Sequence, residues 1–177
     1  MKKKSVKLYN ALFPIWMLII FPISWLIVMP ANFAIDLLVM LITLKCMKVP
    51  NIRQHTFPVI FAVWGMGFLA DILGALGLMF STSMVSLSLN PAPAWWTEIM
   101  DAVSFHPFQN IFAFLIVTLF VVFTAVLIFL ANYFLCFHGI KLEKPQRKKL
   151  ALSLAIFTAP YLFYLPTEWF INRVSVL

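Results

Sequence analysis

Between residues 8 and 44 this chain carries one full charge, Asp36, and that run limits the possible folds more than any other feature. A helix of that length measures about 55 Å at ~1.5 Å per residue, against a bilayer hydrocarbon core of about 30 Å. The run is too long for one upright crossing and too apolar for water. Three more apolar blocks follow, at 57–80, 111–137 and 150–170, each long enough to cross a membrane. With 63% hydrophobic and 11% charged residues, the chain lies far from the roughly 25% charged composition of a soluble domain. The polar connections leave no room for a folded extramembrane domain. The expectation is a single all-α integral membrane domain over 1–177, a polytopic helical bundle.

The opening "MKKKSVKLYN" is basic like a signal peptide. The apolar run behind it far exceeds the ~7–15 residues of a signal core, and no small-residue cleavage site follows. It reads as an uncleaved first span. The net charge of +7 comes from basic residues dispersed in loops beside apolar spans, which suits anionic lipid headgroups and argues against nucleic acid.

Lys and Arg mark the cytoplasmic side of short loops. They cluster at Lys2, Lys3, Lys4 and Lys7, at Lys45, Lys48 and Arg53, and from Lys141 to Lys149, with Arg173 alone. The long connection "STSMVSLSLNPAPAWWTEIMDAVSFHPFQN" has no basic residue and belongs outside. If the tail and the 45–53 loop are both inside, the run between them crosses an even number of times. That predicts an N-terminal helical hairpin hinged at Pro30, where proline breaks a helix interior and biases Met29 away from helical geometry. A re-entrant hairpin and one long kinked helix are the alternatives. The spacing predicts five spans at about 8–29, 31–47, 57–80, 110–137 and 150–168, N-terminus inside and C-terminus outside. The compact layout and the lack of an Asn-x-Ser/Thr acceptor in the outer loop suit a bacterial inner membrane. Pro14, Pro22 and Pro30 recur at a regular interval, reading as a bent helix or a hinge. Cys46 and Cys136 fall at inner helix ends and read as small apolar fillers.

In "NPAPAWWTEIMDAV", prolines suited to a helix start precede an amphipathic stretch at about 92–103. Trp95, Trp96, Ile99, Met100 and Val103 share one arc, opposite Glu98 and Asp101. This predicts a short interfacial helix with tryptophans toward lipid. A lid over the bundle is the alternative.

Charges inside spans are the strongest functional pointers, since each costs about 2.5–3.5 kcal/mol at mid-helix. Asp71 lies near mid-depth of the third apolar span, with Gly67, Ala70, Gly74 and Gly77 on its side of the helix. Such a small-residue stripe admits a neighbouring helix closely, so Asp71 should face protein or a polar cavity. It would hydrogen-bond Ser24, Asn32 or Thr158, or bind a cation, a proton or a cationic group. Asp36 reads as a residue that snorkels to headgroups or joins that site. Glu168 sits at the end of the last span. All acids except Glu143 map to the outer half, as a cation-accepting vestibule would require. In the outer loop Glu98, Asp101 and His106 are candidates for acid–base or metal chemistry, but no spacing supports a metal site.

No phosphate loop, nucleophile elbow, zinc-protease or dinucleotide motif occurs, so neither catalytic residues nor a cofactor are expected. Three readings follow. The first is a non-enzymatic small membrane subunit or accessory protein of a larger transport or envelope complex, bound to another membrane protein or to itself. The second is a transporter or solute-binding component for a cationic or protonatable substrate, using Asp71 with Asp36 and Glu168. The third is a lipid-modifying enzyme at the outer face.

Overall fold

The computed structural model describes residues 25–87 and 92–166, with backbone alone at 84–87. Six α-helices occur in it: α1 (Trp25–Cys46), α2 (Ile52–Thr56), α3 (Ile60–Leu87), α4 (Ala94–Phe105), α5 (Ile111–Ala131) and α6 (Lys144–Phe157). Tight 3₁₀ turns at Pro107–Gln109 and Tyr161–Tyr164 and a π-helical turn at Asn132–Cys136 complete the described residues, which contain no strand.

Among the described residues, three helices are long and apolar enough to cross a membrane: Trp25–Cys46, Ile60–Ser83 and Ile111–Cys136, with mean hydropathies of 2.1, 1.8 and 3.1. Their outward faces are apolar. Ile27 is 77% exposed, Phe61 68% and Leu119 66%, while Asp36 and Asp71 are each 5% exposed. A water-soluble bundle has the reverse arrangement. With lipid as solvent it is the arrangement expected, because hydrocarbon covers the apolar faces and polar groups must find partners inside. The chain is an all-helical, membrane-embedded protein.

Two buried clusters show how the helices run. One joins Met40 and Leu44 of α1, Ile60 and Val63 of α3, Ile128 in the last turn of α5 and Phe137 beyond it, and Leu150 and Leu154 of α6. The other joins Ala75 and Leu78 of α3, Ile99 and Val103 of α4, Ala113 and Val117 of α5, and Phe163. Thus α1 and α5 run one way, α3 and α6 the other. The basic residues Lys45, Lys48, Arg53 and those from Lys141 to Lys149 gather at the first end, and α4 caps the second. Helix α1 is stitched to α3 by aromatic pairs, Trp25 with Phe68 at 5.2 Å and Phe33 with Trp64 at 5.8 Å.

Local chemistry sets the ends. Asn110 caps α5, its side chain accepting from the backbone N–H of Phe112 at 2.8 Å. Glu143 and Gln146 form a capping box on α6. Arg147 holds the π-helical turn, donating to the Phe137 carbonyl at 3.1 Å and lying over the Tyr133 ring.

Three expectations are corrected. The turn placed at Pro30 is absent: α1 runs through Pro30 unbroken. Proline there has no N–H for the Leu26 carbonyl, and the Trp64 indole supports the same turn by donating to the Met29 carbonyl at 2.9 Å. Residues 8–24, the other arm of the expected hairpin, lie outside the described residues. The span at 150–168 is not one helix. Helix α6 starts earlier, at Lys144, and stops at Phe157. Its 14 residues reach about 21 Å at ~1.5 Å per residue, short of a ~30 Å crossing. Finally, the apolar arc of α4 is turned into the bundle: Ile99, Met100 and Val103 are buried against α3 and α5, while Trp95 stays outside. Protein, not lipid, covers the Ile99, Met100 and Val103 side of that arc.

Candidate functional site

The break after α6 is the feature around which the site forms. Pro160 cannot donate to the Ile156 carbonyl one turn back, and it biases Ala159 away from helical geometry. The Tyr161 hydroxyl donates to that orphaned Ile156 carbonyl instead. The chain then turns through Tyr161–Tyr164 and is fastened between α3 and α5. Phe163 is buried against Gly74, and the Tyr164 hydroxyl donates to Thr118 Oγ1 at 2.9 Å.

The end of α6 therefore stops beside the middle of α1 and α3, where the two buried carboxyls are. Asn32 Nδ2 donates to Asp71 Oδ2 at 3.3 Å. The second oxygen, Asp71 Oδ1, is buried without a hydrogen-bond partner. Asp36 lies against the Gly67 backbone, where an added Cβ would be 3.6 Å from Asp36 Oδ2. The Thr158 hydroxyl reaches Asp36, and the two carboxyls are near enough to interact electrostatically. Thr158 has one hydroxyl hydrogen, and the Leu154 carbonyl at 2.8 Å also claims it.

These groups line a cavity of about 490 Å³ shared with Ile35, Phe68, Phe157, Tyr161 and Leu162, and among the described residues no Lys, Arg or His lines it. Among the described residues, every strong electrostatic contribution at this cavity has one sign. Two carboxyls and the negative C-terminal end of α6 converge without a basic partner. In a low-dielectric surround that arrangement favours a cation or protons.

Of the partners expected for Asp71, Asn32 reaches it, Thr158 reaches Asp36 instead, and Ser24 lies outside the described residues. Asp36 does not snorkel; it is buried midway along α1. Glu168 also lies outside the described residues. Glu98 and Asp101 are exposed on α4 and, like His106, do not line the cavity. Among the described residues no group of three or more His, Cys, Asp or Glu could hold a metal ion. The small-residue stripe is occupied internally. A side chain at Gly74 would collide with Thr124 of α5, and one at Gly77 with the Phe120 ring; Gly67 admits Asp36, and Ala70 is buried among α3's neighbours. Both cysteines, Cys46 and Cys136, are free thiols.

Sequence reasoning did not see the broken helix. Its signal is present in Thr158-Ala159-Pro160, where the residue before proline leaves the helical region. No protein-family model, curated protein or solved structure matches this chain, so the chemistry is read from its own residues.

Proposed function

We propose that this protein is a non-enzymatic multi-pass membrane protein that accepts a cationic or protonatable solute at Asp71 and Asp36, as a transporter or as the solute-binding component of a transport complex. One observation carries the reading. A carboxyl oxygen, Asp71 Oδ1, is buried with no partner, and Asp71 lines, with a second carboxyl, a cavity that no Lys, Arg or His among the described residues lines. A broken helix whose C-terminal end meets acidic groups near mid-span is also how membrane transporters coordinate coupling cations. The reading as a purely structural subunit is weaker, because the glycines that suggested a partner helix contact α1 and α5 of the same chain. The lipid-enzyme reading is weaker still, since Glu98, Asp101 and His106 stand apart from the cavity.

The charge pattern supports an orientation with the Lys45–Arg53 and Lys141–Lys149 end in the cytoplasm, the N-terminus inside and the C-terminus outside, and the compact layout without an outer-loop Asn-x-Ser/Thr acceptor suits a bacterial inner membrane. Uptake of labelled methylammonium into proteoliposomes tests the function. Wild-type protein should accumulate the label above empty vesicles. Asp71→Asn, expressed and eluting normally, should reduce uptake to the empty-vesicle level. Uptake unchanged in Asp71→Asn would remove the site from the account.

A further inference from the structure

We infer that the solute is an amphiphilic organic monocation, a primary or secondary ammonium whose N–H groups meet the Asp71–Asp36 pair while its apolar body lies along Ile35, Phe68, Phe157 and Leu162. This inference rests on the cation-site reading above and narrows it. Three observations converge.

The first is size. A cavity of about 490 Å³ falls within the ~300–1,000 Å³ range of small-molecule pockets, whereas one water's share of liquid volume is about 30 Å³. A bare alkali ion would leave most of it empty. The second is the lining. Among the described residues, every side chain lining the cavity apart from Asn32, Asp36, Asp71, Thr158 and Tyr161 is apolar. A hard metal cation needs oxygen ligands on all sides. An alkylammonium needs them only at its head, and Phe68, Phe157 and Tyr161 add aromatic side chains to the lining.

The third is a shortage of hydrogen-bond donors. Two carboxyls present four acceptor oxygens, yet the side-chain donors beside them are the Asn32 amide and a Thr158 hydroxyl already shared with Leu154. Asp71 Oδ1 receives nothing. An ammonium supplies the missing N–H groups together with the compensating charge, and charge-assisted bonds of this kind are the strong ones. The apolar lining away from the two carboxyls offers no partner to a second charge, which argues for a monocation over a diamine.

The test is titration calorimetry on the full chain in lipid nanodiscs with methylammonium, ethylammonium, butylammonium, tetramethylammonium and Na⁺. Affinity should rise about fourfold for each methylene added, the binding equivalent of about 0.8 kcal/mol per buried CH₂. Tetramethylammonium, with no N–H, should bind more weakly than methylammonium despite its extra methyl groups. Leu162→Trp, which fills the apolar part of the cavity, should abolish the chain-length gain, so that butylammonium binds no more tightly than methylammonium to the same variant. Ile35→Phe makes the same comparison if Leu162→Trp does not fold. A flat alkyl series with Asp71-dependent Na⁺ binding would overturn this inference and leave the cation site standing. No heat from any probe with monodisperse wild-type protein would overturn both.

Discussion

At the residue scale, the account depends on carboxyls that have too few partners. Asn32 gives Asp71 its one side-chain hydrogen bond, so Asn32→Leu leaves a buried acceptor with none. It should destabilise the protein by about 1–3 kcal/mol, measured by unfolding in mixed micelles, whereas Asp71→Asn should cost less because an amide can pair with Asn32. Thr158→Val should lower methylammonium affinity, by about 10-fold at most, because it removes one neutral hydroxyl near the head. A Thr158→Val protein with wild-type affinity would show that the end of α6 takes no part. The two aspartates were legible in the sequence because an ionisable residue in an apolar span must be compensated. Their partners were harder to read. Asn and Thr in apolar helices commonly bond the carbonyl one turn back, as Asn132 does to Ile128 at 2.9 Å and Thr118 to Phe114 at 2.7 Å, so nothing marks the members that reach across.

At the element scale, apolar blocks predicted α3 and α5 well, because length and hydropathy alone define a spanning helix. They misplaced the breaks. Pro30 was expected to end a helix, but α1 continues through it, supported by Trp64 on α3. Pro160 ends α6, although the surrounding residues are as apolar. Both prolines lack an N–H, so the difference lies in the tertiary surroundings. After Pro160 the chain leaves the helix to bury Phe163 and to bond Tyr164 to Thr118. A double-mutant cycle of Tyr164→Phe with Thr118→Val should give a coupling of about 0.6 kcal/mol, the average for interhelical hydrogen bonds in membranes. Gly74→Leu should be far more damaging. Its side chain must displace both Thr124 and Phe163, and a loss of about 1–3 kcal/mol or outright misfolding is expected in the same unfolding assay. A stable Gly74→Leu protein would mean that α3 and α5 are not so close.

At the scale of the whole molecule, electrostatics and burial sort the chain into two ends and a middle. Basic residues occupy the end where α1 and α5 finish and α3 and α6 begin. Exposed acids on α4 occupy the other end, and the two buried carboxyls, with no Lys, Arg or His lining their cavity among the described residues, lie between. In a variant with Cys46 and Cys136 replaced, an impermeant thiol reagent added outside intact cells should leave Pro50→Cys unlabelled and modify Glu98→Cys. The opposite pattern would invert the proposed orientation without touching the site. The amphipathic arc of α4 was also legible, but its partner was not. A periodicity of 3.6 shows that a helix has an apolar face, and either lipid or protein can cover it.

The central claim is that Asp36 and Asp71 together receive a cation. Infrared difference spectroscopy of the reconstituted protein, recorded as methylammonium is washed in and out, observes those carboxyls directly. The account predicts a reversible change in the carboxyl bands of the wild-type protein, lost in Asp71→Asn and altered in Asp36→Asn. A spectrum that stays flat at saturating methylammonium, or one that changes identically in all three proteins, would contradict it.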